Sequence, residues 1–435
     1  MAVADPIQVQ PAPAIPALPD SDPFYNPPPD VVAATPPGGI IAVRQINVAN
    51  YGLLPVNVDA WLVSYRSNDH LDHPVGAVAT LLKPRGTSKS PRKLLSTQIA
   101  EDSPGVNCAP SYALQQWSAG PTLLGQSVAP AEFLMAQSGL AQGWAVVVPD
   151  HEGPKGAYAA GPLGGRITLD AIRAAESFQP LEVAADSPVA LYGYSGGSMP
   201  TGWAAELHKT YAPELNIVGV AEGGVGADLG MTLTMADNQA TSGLVLAAIM
   251  GLSHEYPEFA AYLDQRMNPL GKTLTAAKSG LCVAYTAALL PFLNLKGLIN
   301  TAGDPLNDPP VASVIADTKM GKTVPDVPMF VWQSDWDEIL PKPATTALVN
   351  TYCQDPSARV QYTTDLLSEH GAAAVTGGPG ALLWLRDRLD GVPVEGGCHA
   401  HDAVTMLAEP GALGSAAQIV GTALAGALNA PIGAK

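Results

Sequence analysis

The run Val189-Ala190-Leu191-Tyr192-Gly193-Tyr194-Ser195-Gly196-Gly197 decides how the rest of the chain is read. Its apolar first half predicts a buried strand, and the residues from Pro200 onward suit a helix. Between them stands a G-x-S-x-G pentad, a pattern that recurs by chance when it stands alone. In a strand–turn–helix context it predicts a nucleophile elbow, a sharp turn holding Ser195 in strained geometry between residues small enough not to clash. The N–H of Gly196 then points to where an oxyanion would form. The bland alternative is a Gly-rich turn at a sheet edge.

Outward from the elbow, buried-strand runs alternate with helical ones. Residues 40–43, 60–65 and 76–82 alternate apolar and polar between turn signals and predict antiparallel strands. Strands are then expected at 94–99, 144–148, 189–192, 217–221, 329–332 and 360–363. Helices are expected at 131–142, 168–178 with Thr168 as N-cap, 201–211, 343–352 and 380–389. Such alternation implies an α/β fold, a mostly parallel central sheet flanked by helices. The alternation breaks over residues 228–319, which read as helices at 243–252, 257–267, 274–278 and 281–295. An insertion of this length between parallel strands predicts a helical cap over the carboxyl edge of the sheet; a packing subdomain is the plainer reading. The division expected is therefore a Pro-rich arm at 1–38, a core in two parts at 39–227 and 320–402, the cap at 228–319, and a C-terminal tail or flap at 403–435.

A serine nucleophile needs a histidine base and a carboxylate to orient it, in the order serine, acid, histidine for this kind of sheet. Of the eight histidines, His370, His399 and His401 follow the 329–332 strand. His370 lies in the loop after strand 360–363 and is the expected base, whereas His399 and His401 flank Cys398 with no strand before them. Asp335 and Asp337 share the loop after 329–332, with Glu338 as a weaker third, and local pattern does not separate them. The loop Ala100-Glu101-Asp102-Ser103-Pro104-Gly105 follows strand 94–99 and suits a second oxyanion donor. Competing chemistries lack their signatures: His254-Glu255 has no second histidine at the H-E-x-x-H spacing, Gly161–Gly165 is no dinucleotide fingerprint, and no P-loop exists.

Composition narrows the class further. The 435 residues carry 39 acidic and 22 basic side chains, a net charge of −17, with no basic run to meet nucleic-acid phosphates. Hydrophobic residues reach 47% and charged ones 14%, the reverse of a disordered composition. Apolar stretches such as 244–252 fall short of the ~20 residues of a membrane span, and Ser415, Gln418, Thr422 and Asn429 interrupt the last one. Met1 leads straight into Ala-Val-Ala-Asp-Pro, which reads as a mature N-terminus with an added start Met. Four cysteines without a C-x-x-C pair, Cys108, Cys282, Cys353 and Cys398, fit two disulfides in an oxidising compartment better than a metal site. The crowded Cys398-His399-Ala400-His401 is the one metal-like cluster, and its ligands cannot easily converge on one ion.

Several further segments carry a resemblance. These are Asp22-Pro23-Phe24-Tyr25, Cys108-Ala109-Pro110-Ser111-Tyr112, Asp150-His151-Glu152-Gly153, the Ser195 pentad, 211–219 and Asp337-Glu338-Ile339-Leu340-Pro341. In them the chain, over roughly residues 20–400, resembles the secretory lipase family of α/β-hydrolases. The resemblance implies Ser195 as nucleophile, Asp337 as acid and His370 as base, with oxyanion donors at Asp102 and Gly196. It also implies disulfides Cys108–Cys282 and Cys353–Cys398, an acyl-binding tunnel in the cap, and no cofactor or metal. Residues 403–435 do not match the family's flap. The reading expected is a secreted serine carboxylester hydrolase acting on triacylglycerols or other lipophilic esters, with transient contact to a lipid interface and no stable protein partner. An acyltransferase using the same residues, or a non-catalytic binding protein on the same fold, stands as the alternative.

Overall fold

The computed structural model describes residues 8–120 and 124–433. Eleven strands form one sheet: β1 Val9–Gln10, β2 Ile40–Ile46, β3 Asp59–Asn68, β4 Pro74–Lys83, β5 Leu94–Gln98, β6 Ala145–Pro149, β7 Val189–Tyr194, β8 Ile217–Gly223, β9 Met329–Ser334, β10 Arg359–Asp365 and β11 Gly397–Ala403. Their spatial order is β1-β2-β3-β4-β6-β5-β7-β8-β9-β10-β11. The pairings β2–β3, β3–β4 and β4–β6 are antiparallel, and every one from β6 to β11 is parallel. This is the α/β-hydrolase arrangement, with helices on both faces.

Consecutive strand residues feed opposite faces, as the pleat demands. Val147, Leu191 and Val331 pack with Leu163, Ile172, Trp203 and Leu348 in one core layer. Their neighbours Val146, Tyr192 and Trp332 pack with Phe133, Leu382 and Leu385 in the other. Strands buried on both faces explain why the sequence shows unbroken apolar runs here and alternation only in the antiparallel part.

The helical insert lies between β8 and β9, with helices Leu229–Ala236, Ser242–Glu255, Pro257–Arg266, Pro269–Lys278, Val283–Ala288 and Pro309–Thr318. Cys108–Cys282 joins it to the segment after β5, and Cys353–Cys398 joins the β9–β10 crossover to edge strand β11.

Four local expectations differ from what is observed. Thr168 is no N-cap but lies inside helix Gly161–Ser177, whose start is set by Pro162 in its first turn. The glycines ahead of the expected helix start let this helix press on its neighbour: a Cβ on Gly165 would stand 2.8 Å from Trp203. The helix expected over 281–295 stops at Ala288, ahead of Pro291, whose ring disfavours continuation. The last core helix runs His370–Leu389, with Pro379 inside it, so His370 opens a helix where a loop was expected. His399 and His401 stand on β11, where alternation turns them away from Cys398, itself held by Cys353. Beyond β11 the chain makes a short turn at Met406–Ala408 and a helix Ala412–Ala427 laid on helices Ala129–Ala141 and His370–Leu389. Residues 1–7 of the arm and 434–435 of the tail lie outside the described residues.

Candidate active site

At the end of β7 the chain turns at Ser195, whose φ is +54°, a left-handed backbone that a serine adopts only under constraint. The constraint is close packing on both sides. A Cβ on Gly193 would stand 2.2 Å from Gly197 O, and one on Gly197 would stand 2.0 Å from Gln98 O at the end of β5. Helix Ser198–Tyr211 starts immediately after the turn. This geometry exposes Ser195 Oγ at the carboxyl edge of the sheet.

His370 Nε2 lies 2.7 Å from Ser195 Oγ, and its Nδ1 lies 2.8 Å from Asp337 Oδ2. Three contacts fix the backbone that carries His370. Tyr194 OH donates to His370 O at 2.5 Å, His370 N donates to Glu338 Oε2 at 3.1 Å, and Glu369 caps the helix by accepting from Gly371 N and Ala372 N. Burial resists charge on His370, but the hydrogen bond and charge of Asp337, with Glu338 and Asp102 adding, hold its pKa above the usual value. Asp337 in turn accepts from Ile339 N, Leu340 N and the Gln333 side chain, the last at 2.7 Å. Asp335 points outward to an ion pair with Lys342. Of the three late histidines only His370 reaches Ser195; His399 and His401 pair with surface Glu395 and Glu409.

Asp102, φ +48°, lies against Gly196 so closely that a Cβ on Gly196 would stand 1.5 Å from Asp102 Oδ1. That oxygen is buried without a hydrogen-bond partner. Burial pushes the Asp102 carboxyl up to about 7, and only the charge of His370 pulls it down. The preceding loop is braced from beneath. Glu132 accepts from Ala100 N at 2.9 Å, and His151 Nε2 donates to Ile99 O at 2.7 Å, the imidazole kept neutral because burial lowers its pKa to about 4.

Glu132 and Gln333 are absent from the sequence reading. Glu132 sits in a helix start like any other, and Gln333 is a strand residue beside the acid loop; neither spacing carries a signal. No cluster of three potential metal ligands occurs among the described residues.

The insert contains a small cavity of ≈ 40 Å³, walled by Leu246, Ile249, Phe259, Leu263, Met267 and Leu298 among others. Almost nothing polar lines it.

Comparison with known proteins gives concordant findings. The family model described as Secretory lipase matches residues 121–397. Lipase A of Arthroderma benhamiae is 37% identical over 426 residues, 96% of this chain and 90% of that protein. A Mycobacterium tuberculosis protein described as a "probable inactive lipase" is 34% identical, covering 87% of this chain and 84% of its own length. Among solved structures, Candida antarctica lipase A superposes with a TM-score of 0.84 at 31% identity, covering 95% of each chain.

Proposed function

This chain belongs to the secretory lipase family, and from that premise we propose that it is exported and cleaves lipophilic carboxylic esters, triacylglycerols among them, at Ser195. It is a carboxylic ester hydrolase of the α/β-hydrolase fold. In the proposed cycle Ser195 Oγ attacks the ester carbonyl carbon while its proton passes to His370 Nε2. Asp337 holds Nδ1–H and stabilises the imidazolium. The carbonyl oxygen, now negative, receives the backbone N–H groups of Asp102 and Gly196. Collapse breaks the ester C–O bond, and His370 returns the proton to the leaving alkoxide. Water, deprotonated by His370, then releases the acid from the acyl-serine. The single observation that carries this reading is the 2.7 Å and 2.8 Å chain of contacts from Ser195 through His370 to Asp337.

The apolar walls of the insert's cavity are in keeping with a lipophilic acyl group, which at ≈ 40 Å³ the cavity would have to widen to admit. The two disulfides and the family's secretory character support export to an oxidising compartment. The test is hydrolysis of p-nitrophenyl esters from two to sixteen carbons by the protein and by Ser195→Ala. Turnover that rises with chain length and disappears in the variant is expected. Equal turnover by the variant would remove Ser195 from the mechanism, and no turnover at all would place this chain beside the mycobacterial relative described as a probable inactive lipase.

A further inference from the structure

The carboxylate that holds His370 accepts four hydrogen bonds, about as many as a carboxylate has room for. Asp337 Oδ1 takes Ile339 N at 3.0 Å and Leu340 N at 2.7 Å. Oδ2 takes His370 Nδ1 at 2.8 Å and Gln333 Nε2 at 2.7 Å. The imidazole and the Gln333 amide therefore divide one oxygen between them. The two donors on Oδ1 belong to the backbone, so Gln333 is the competitor for that charge that a side-chain change can remove.

Gln333 is wholly buried near the end of β9, and both ends of its amide are in use. Nε2 also donates to Leu340 O at 3.1 Å, while Oε1 accepts from Val225 N and from Thr345 Oγ1, both at 3.0 Å. This set fixes the orientation, because a reversed amide would aim its NH2 at the Val225 N–H and its oxygen at a carboxylate and a carbonyl. The partners come from three elements that meet at the triad. Leu340 lies in the acid loop, and Thr345 in helix Lys342–Tyr352. Val225 follows Gly224, where a Cβ would stand 3.0 Å from His370 Cε1.

We propose that Gln333 is a positioning residue for ester hydrolysis, one that aims Asp337 Oδ2 at His370 and limits how strongly that oxygen stabilises the imidazolium; the proposal rests on the ester-hydrolase reading above. The positive end of the amide dipole stands against the same oxygen as His370 Nδ1. It draws off part of the charge that would otherwise favour the protonated ring. The other titratable groups facing His370 are Glu338 of the acid loop, Asp102 of the loop after β5, and Tyr194 of β7, whose ring lies 5.2 Å from the imidazole. Glu369 precedes it and is taken up in capping the helix. Every carboxylate in this set favours a charged ring, and none of them except Asp337 bonds to Gln333. Gln333 is thus the counterweight that lets His370 shed its proton at a lower pH, and only the neutral ring can take the proton of Ser195.

The test is Gln333→Met, which fills nearly the same space without an N–H donor. The His370 ring is titrated by NMR in a Ser195→Ala background, and kcat/KM for a soluble p-nitrophenyl ester is followed against pH with Ser195 intact. The ring titration and the acid limb should both move up by about half a pH unit or more, which lowers kcat/KM roughly threefold well below the limb. Thr345→Val removes a bond on the far side of the same amide and should leave both where they are, although it costs stability in urea. Gln333→Asn, whose amide is drawn back by one carbon, should move them the same way by less, and it decides the question if Gln333→Met does not fold. A ring titration unmoved by substitution of Gln333 overturns the proposal. So does an equal shift in Thr345→Val, because the effect then belongs to packing at large. A shifted ring titration in a protein that turns over no ester would support the coupling of Gln333 to His370 and reject the enzymatic reading.

Discussion

Replacing Asp102 by Asn should change how activity depends on pH more than its size at neutrality. The carboxyl is buried beside Gly196, one oxygen unpartnered, and burial pushes its pKa up to about 7. Below that value it is neutral; above it, a full negative charge stands beside the amide proposed to receive the oxyanion. Two like charges ~5 Å apart at an effective dielectric of about 20 repel by about 3 kcal/mol, roughly a hundredfold in rate. At pH 8 about ten carboxyls in eleven are charged, so kcat/KM should fall roughly tenfold per pH unit from there to a floor about a hundredfold down. On the acid side His370 must lose its proton, and its pKa is held above the usual 6.5. The wild-type profile is therefore narrow, and the two groups titrate as a coupled pair. Asp102→Asn keeps the acid limb, moved slightly down because a neighbouring negative charge is gone, and loses the alkaline fall. The assay is kcat/KM on a soluble short-chain p-nitrophenyl ester from pH 5 to 9.5 for both proteins. Superimposable alkaline limbs, or a wild type still flat at pH 9.5, would refute the reasoning.

Other consequences can be checked separately. Gly196→Ala drives a methyl group into the Asp102 carboxyl and should lower kcat by at least about a hundredfold with little effect on secondary structure; near-normal kcat would mean that the loop yields freely. Removing Cys108–Cys282, which closes a 174-residue separation, should cost up to about 5 kcal/mol in urea unfolding, and a loss under about 1 kcal/mol would assign the bridge little role in stability. Thermal stability should be higher at pH 5 than at pH 8. Burial raises Asp102 and Asp150 to about 7 and Glu132 and Glu222 to about 8, so the fold holds protons that the unfolded chain has released above about pH 4. That stability is complete below the unfolded values and is lost as pH rises through the folded ones. His151, depressed to about 4, acts oppositely as pH falls below 6.5, but it is one group against four. A Tm that rises from pH 5 to pH 8 contradicts this.

The legible parts of the chain are those whose signal is local. The parallel strands show as apolar runs because both faces are covered, and the elbow shows because its glycines answer contacts fixed by the turn itself. His370 could be picked out by its position after β10, yet its helix was hidden. Pro379 breaks the pattern, and Gly377 is required because Trp332 would lie 2.3 Å from a Cβ there. The residues of the acid loop could not be told apart by pattern. What distinguishes Asp337 from Asp335 is Gln333 on one side and Lys342 on the other, a matter of where side chains point after folding. Disulfide pairing is equally non-local, since four cysteines allow three connectivities and only the resemblance chose among them.

The helical insert is attached covalently to the rest of the chain at three places: the backbone leaving β8, the backbone entering β9, and Cys282 through its bond to Cys108. Two attachments define a hinge line, about which a rigid body can swing. The bridge adds a third, which lets the insert swing only as far as Cys282 can follow Cys108. Helix Leu229–Ala236 and its neighbours up to Lys278 belong to the span between the first attachment and the bridge; helix Pro309–Thr318 belongs to the span between the bridge and the last. Room for a large substrate must then come from one span parting from the other, by deformation inside the insert, and not from the whole insert lifting away like a hatch.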